Sequence, residues 1–217
     1  MSEAWCPGSD SSAYAATLND AWDALEAMDV VVQARKAGAV IEDGRIVLDT
    51  LGRRCAIDPW TRSVTVDDRE IEVLEAVVVL HYLARAGDVR PRGHLISYRQ
   101  LPGGGLYYPT FRSRVISVIE EMDRNDPGML LRAGQCLGGE NREFGSASIT
   151  IPIFPLLPVT IILWRGDDEI PGSANVLFDE SASCFLPTED LAAVGTMLVT
   201  RLMEAGRTSM EMRMNAL

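Results

Sequence analysis

The segment at residues 70–86 constrains this chain more than any other. Val73, Leu74, Val77, Val78, Val79, Leu80 and Leu83 place apolar side chains nearly all the way round a helix. A helix of that kind cannot lie on a surface. It has to be covered on every side, so the rest of the chain must supply layers around it. Gly87 follows as a stop signal.

The covering elements can be read from spacing. Ser11 or Ser12 caps a first helix to about Ala34, with Tyr14, Leu18, Ala21, Leu25 and Met28 on one face, and Gly38 lies just beyond it. Phe111, Val115, Val118, Ile119 and Met122 mark a second amphipathic helix. Asp126-Pro127 opens a short third one to about Cys136. Thr188, with Glu189 and Asp190 in the first turn, caps a last helix to about Ala205, whose core face is Leu191, Val194, Leu198 and Leu202.

Between the helices the pattern turns to strands. Residues 45–49, 54–57 and 63–66 read as a three-stranded meander turning at Asp58-Pro59. Residues 144–154 and 159–165 are rich in Ile, Val and Thr, and 175–178 is a short strand. Pro152, Pro155 and Pro158 place the join between the two long strands at an edge or a sharp connection. Helices and strands are segregated along the chain rather than alternating. The expected class is α+β, a single domain with an antiparallel or mixed sheet. Residues 1–11 read as a disordered N-terminus, 12–206 as the domain and 207–217 as a frayed tail.

A net charge of −11 makes nucleic acid and anionic membrane poor partners. No apolar run approaches the length that spans a bilayer, and no signal peptide opens the chain. Cys6, Cys55, Cys136 and Cys184 have neither metal-site nor disulfide-framework spacing. They read as reduced thiols in a cytoplasmic protein, and no metal or cofactor can be named from them.

One stretch departs from the acidity. Residues 88–114 hold Arg90, Arg92, Arg99, Arg112 and Arg114 against a single acid, Asp88, together with Tyr98, Tyr107 and Tyr108. Gly103, Gly104 and Gly105 precede a helix there, where backbone N–H groups can converge on an anion. It is neither a Walker loop nor a dinucleotide fingerprint. The functional reading is a pocket for an anionic small molecule; the plain one is a loop whose glycines permit a turn. His94 lies in the same stretch and is the better placed histidine for acid–base work. His81, inside the buried helix, reads as a core histidine bonded to backbone. Asp167, Asp168 and Glu169 form an acidic turn beside Trp164, an aromatic that either lines a pocket or closes the core.

Several runs resemble a known family. They are Leu80-His81-Tyr82-Leu83, Ile96-Ser97-Tyr98-Arg99-Gln100-Leu101-Pro102-Gly103-Gly104, Trp164-Arg165-Gly166-Asp167-Asp168-Glu169-Ile170-Pro171, Asn175-Val176-Leu177-Phe178-Asp179 and Phe185-Leu186-Pro187-Thr188-Glu189-Asp190-Leu191. Together they are similar to the bacterial and archaeal family called domain of unknown function 3786. The resemblance covers about residues 13–205. It implies one conserved cytoplasmic domain, in organisms that are often anaerobic, with some relatives joined to an iron–sulfur module. It carries no catalytic residue over to this chain, which lacks a ferredoxin-type cysteine run.

Three functions fit these residues. The first is a binding module for an anionic small molecule or cofactor, its site drawn from His94, Tyr98, Arg99, Gly103, Gly104, Gly105, Tyr107, Trp164, Asp167, Asp168 and Glu169. The second is an accessory interaction subunit or homodimer, with a redox protein as partner, linked to redox or one-carbon metabolism. The third is an enzyme acting on an anionic small molecule. The first and third readings are strongest if the stretches at 94–107 and 164–169 meet in space.

Overall fold

A computed structural model describes residues 11–167, 169 and 171–215. The described residues form two antiparallel five-stranded sheets and a set of helices around one contiguous core. The class is α+β, as expected.

The first sheet is a meander in sequence order. Its strands are β1 (Val40–Glu42), β2 (Arg45–Thr50), β3 (Arg53–Asp58), β4 (Ser63–Val66) and β5 (Arg69–Glu70). The three long strands match the sequence pattern. The short outer ones, Val-Ile-Glu and Arg-Glu, are exposed throughout and too short to show alternation.

The second sheet has the order β6-β10-β9-β8-β7, with β6 (Leu95–Ser97), β7 (Glu140–Arg142), β8 (Ala147–Phe154), β9 (Leu157–Trp164) and β10 (Ser173–Asp179). The long strands β8 and β9 are therefore central. The prolines fit because Pro152 faces Pro158 beside a register shift near the hairpin turn. β7 reaches only to Thr150 and β10 only to Val159, so neither proline needs a donor for a third strand.

α3 (Val73–Arg85) is the covered helix, with Val78, Val79, Leu80, Tyr82 and Leu83 fully buried. Each such side chain contributes roughly 1.5–3 kcal/mol through the surface it removes from water. Tyr82 stacks on Phe154 at 4.4 Å and on Phe185 at 5.6 Å. Its hydroxyl donates to the Ala37 carbonyl at 2.7 Å and accepts from the Leu156 N–H at 3.1 Å, which ties helix to sheet.

The first helical stretch is two helices, α1 (Ser11–Glu26) and α2 (Val30–Ala37). Asp29 breaks it by accepting from the N–H groups of Val31 and Val32, an N-cap set inside an apolar pattern. Of residues 1–11, read as a disordered N-terminus, 1–10 lie outside the described residues and Ser11 already belongs to α1. The stretch read as loop to residue 110 is a 3-10 turn at Tyr98–Gln100 followed by α4 (Gly104–Phe111). One π-helical turn, Arg112–Ile116, leads on into α5 (Ser117–Asn125). α6 (Met129–Cys136) starts after a left-handed Gly128 rather than at Asp126-Pro127. α7 starts at Thr188 as expected. It runs to Asn215, past the point where fraying was expected at 207.

Candidate functional site

The glycine-rich stretch folds into a junction rather than a pocket. Tyr98 is 1% exposed and stacks on Phe111 with ring centroids 4.1 Å apart. Its hydroxyl donates to the Thr188 carbonyl at 3.0 Å. Burial, then the nearby Glu189 and Tyr107, pushes its phenol up to about 12. Arg99 lies over the Tyr108 ring, 4.4 Å from its centroid. Gly103 takes the left-handed conformation that starts α4. A Cβ on Gly104 would stand 1.9 Å from the Tyr98 carbonyl oxygen, so only glycine fits there, whereas Gly105 faces open space. The Gly104 N–H donates to Leu101 at 2.9 Å and the Leu106 N–H to Gly103 at 3.1 Å. These donors are spent inside the turn and do not converge on an anion. Tyr107, half-exposed one turn before Phe111, lines a separate hollow of about 250 Å³ with Phe111, Arg114 and Glu189.

Three of the runs that carry the resemblance lock together here. The Thr188 hydroxyl donates to the Pro102 carbonyl at 2.7 Å. His81 places Nδ1 2.7 Å from the Asp190 carboxylate, not on backbone as expected, and its side chain is 28% exposed. Asp190 sits in the first turn of α7, where the helix dipole favours its charge. The run containing α3, the glycine stretch and the start of α7 are thus joined by side chains whose partners are other parts of the fold.

The remaining candidates lie elsewhere. Trp164 ends β9 opposite Ser173 of β10. Beyond β6 the outer edge of β10 has no neighbouring strand, and α5 lies against it: the Ala174 N–H donates to Glu120 Oε1 at 3.1 Å. The next N–H on that edge, from Val176, donates to the Asn175 side chain at 3.0 Å. Between α5 and the end of the β9–β10 hairpin opens a cleft of about 400 Å³. Trp164 stands in it with 44% of its surface exposed.

Asp123, one turn along α5 from Glu120, lines the same cleft with a side chain only 6% exposed. Its oxygens accept from the Gly128 N–H at 3.1 Å and from Arg165 Nε at 3.1 Å and Nη2 at 3.4 Å. Asp123 in turn raises the Arg165 guanidinium above its ordinary value. Asp167 and Arg124 also line the cleft. The Glu169 N–H donates to Asp167 Oδ1 at 3.0 Å, and Asp168 lies outside the described residues. From the arginine-rich stretch, Arg112 reaches this wall, 3.7 Å from Glu120 Oε1.

His94 occupies the opposite end of β10. Leu95 pairs with Asp179, and His94 Nδ1 meets Glu180 Oε1 at 3.1 Å, with side chains 69% and 47% exposed. Six residues of β10 separate that end from Ser173, roughly 20 Å at the rise of an antiparallel strand. His94 and Trp164 therefore stand at opposite ends of β10, and among the described residues no site joins His94 to the acidic turn. Asp179 itself is a buried turn anchor. Burial alone would raise its carboxyl, but bonds from the Ser181 hydroxyl and N–H, Gly93 N–H and Arg92 N–H hold it below the usual range.

Glu120 and Asp123 are the cleft residues that sequence reading passed over. A signal existed for Asp123: it stands four residues after Ile119 and next to Met122, on the inward face of an amphipathic helix.

The sequence profile of one family, described as a domain of unknown function, DUF3786, matches residues 29–201. The chain belongs to the DUF3786 family. The match takes in the junction, the cleft and both ends of β10, and leaves out α1. No curated protein and no solved structure matches the chain. Among the described residues no helix is long and apolar enough to cross a membrane.

Proposed function

We propose that this DUF3786 domain is a small-molecule-binding module whose pocket is the Trp164 cleft. The observation that carries this reading is the indole itself. β9 is buried from Val159 to Leu163, yet its last residue, a tryptophan, stands 44% exposed in a concavity of about 400 Å³. Small-ligand sites are typically concavities of about 300–1,000 Å³ with an aromatic wall and a few fixed polar groups. Here the fixed groups are Asp123 and Arg165, each orienting the other.

The test is a thermal-shift panel of small charged and neutral molecules on the wild type and Trp164→Ala. A ligand at about 100 times its Kd stabilises by about 2.7 kcal/mol. A stabilising ligand whose effect vanishes in Trp164→Ala supports the pocket. Stabilisation that survives in the variant places the site elsewhere.

A second reading, an interaction subunit or homodimer, is favoured by a different surface. Leu95 and Phe144, 36% and 48% exposed, flank a hollow of about 320 Å³ on the outer face of the second sheet. Sedimentation velocity on wild type and Phe144→Ser tests it: self-association weakened by the substitution supports this surface. A monomer at all concentrations argues against the homodimer.

A further inference from the structure

The cleft also carries information about the chemistry of what it binds. Resting on the reading that the cleft is a ligand pocket, we infer that its ligand is a small organic oxyanion, with an apolar body against Trp164 and a carboxylate or phosphate held by Arg124 and Arg165.

The carboxylates of the cleft are committed. Asp123 is 6% exposed and accepts from the Gly128 N–H and from Arg165. Glu120 is 12% exposed, holds the Ala174 N–H and pairs with Arg112 at 3.7 Å. Asp167 accepts from the Glu169 N–H and has a further partner. A cationic ligand would have to displace or share a bond already made at each of them.

The donors are not. Arg165 turns Nε and Nη2 to Asp123, and its Nη1 makes no hydrogen bond among the described residues. Arg124 lines the cleft, is exposed, and has no hydrogen bond or ion pair among the described residues. Both side chains therefore keep N–H groups without a protein acceptor, in the planar fork that suits a carboxylate or a phosphate. A ligand also meets them first. The Arg165 side chain is 46% exposed, whereas Glu120 and Asp123 are recessed.

Charge does not oppose this. Among the described residues, Glu120, Asp123 and Asp167 stand around the cleft against Arg112, Arg124 and Arg165, so the two signs balance. The chain's net charge of −11 repels an anion from a distance, and physiological salt screens that repulsion beyond about 8 Å. The apolar body follows from the rest of the lining. Trp164, Leu163, Pro127 and Pro171 give the cleft an apolar wall that a bare inorganic ion would leave uncovered.

The experiment compares benzoate and phenyl phosphate with benzyl alcohol and benzylammonium, which share a ring and differ in the group it carries. Binding is read by ¹⁹F NMR on full-length protein labelled with 5-fluorotryptophan, the Trp164 resonance being assigned with Trp164→Phe. The expected result is that at least one oxyanion shifts the Trp164 resonance and binds at least about tenfold more tightly than the alcohol or the ammonium. Whichever oxyanion binds more tightly names the anionic group. Arg124→Gln, which breaks no contact within the described fold, should weaken that oxyanion by about tenfold and leave benzyl alcohol unchanged. Benzyl alcohol or benzylammonium binding at Trp164 as tightly as both oxyanions would overturn the inference and leave the cleft standing. Unchanged oxyanion affinity in Arg124→Gln would overturn the inference in the same way. A Trp164 resonance that no probe moves at millimolar concentration would overturn both the inference and the pocket.

Discussion

The junction at the start of α7 and the Trp164 cleft have opposite characters. At the junction, Tyr98, Gly104, Thr188 and His81 each have a partner within the fold, and the aromatic rings are buried. At the cleft, a tryptophan stands 44% exposed in a concavity beside the charged side chains of Asp123 and Arg165. The richer sequence signal belongs to the first region. A dense run of glycine, tyrosine and arginine reports where backbone must approach backbone as readily as where a ligand sits. A site is better sought where polar groups and aromatic surface remain uncommitted.

Four substitutions test that contrast. The largest effect belongs to Gly104→Ala, because the new methyl group meets a main-chain oxygen that cannot move aside. A loss of about 3 kcal/mol or more is expected in denaturant unfolding. Near-wild-type stability would show that the junction yields.

Tyr98→Phe should cost about 1 kcal/mol at neutral pH through the lost bond to Thr188. Its pH dependence is more specific. The Tyr98 phenol is raised in the folded state to about 12, so the folded state holds its proton more tightly than the unfolded chain does. That contribution is complete below about pH 10, the unfolded value, and is lost as pH rises towards 12. The Phe variant should therefore lose less stability than wild type across that window, as followed by circular dichroism. Identical alkaline limbs would remove Tyr98 from the account.

Trp164→Ala should cost no more than about 1 kcal/mol, given the exposure of the ring, yet abolish ligand-dependent stabilisation. A heavy loss of stability would make Trp164 a core residue and erase the contrast. Smallest of all, Gly105→Ala should be stabilising by about 0.5–1 kcal/mol, since it sits in α4 with open space around it. The two neighbouring glycines would then differ in sign, and equal effects at both would show that space does not decide.

Much of the architecture was legible because it rests on periodicity. α3, the core face of α7 and the long strands can all be read from residue spacing, while the family is carried by the likeness of particular runs. What was missed has local causes. Asp29 caps a helix within an unbroken apolar pattern, and α4 opens on glycines that normally announce a loop. The strands β1, β5 and β7 are two or three exposed residues long and pair only because a neighbouring strand is already in place. Half of the cleft was legible, in Trp164 and Asp167. The other half, Glu120 and Asp123, joins them only through the packing of α5 on β10, which no local pattern encodes.

The way α5 closes the side of β10 bears on solubility. An unpaired strand edge is a template onto which another chain can add. Here the Ala174 and Val176 N–H groups are taken by Glu120 and Asn175. Two side chains thus stand where a foreign strand would dock, and one of them carries a negative charge that repels other copies of this acidic protein. Truncating Glu120 would do more than alter a cleft: it would uncover a growth point for aggregation.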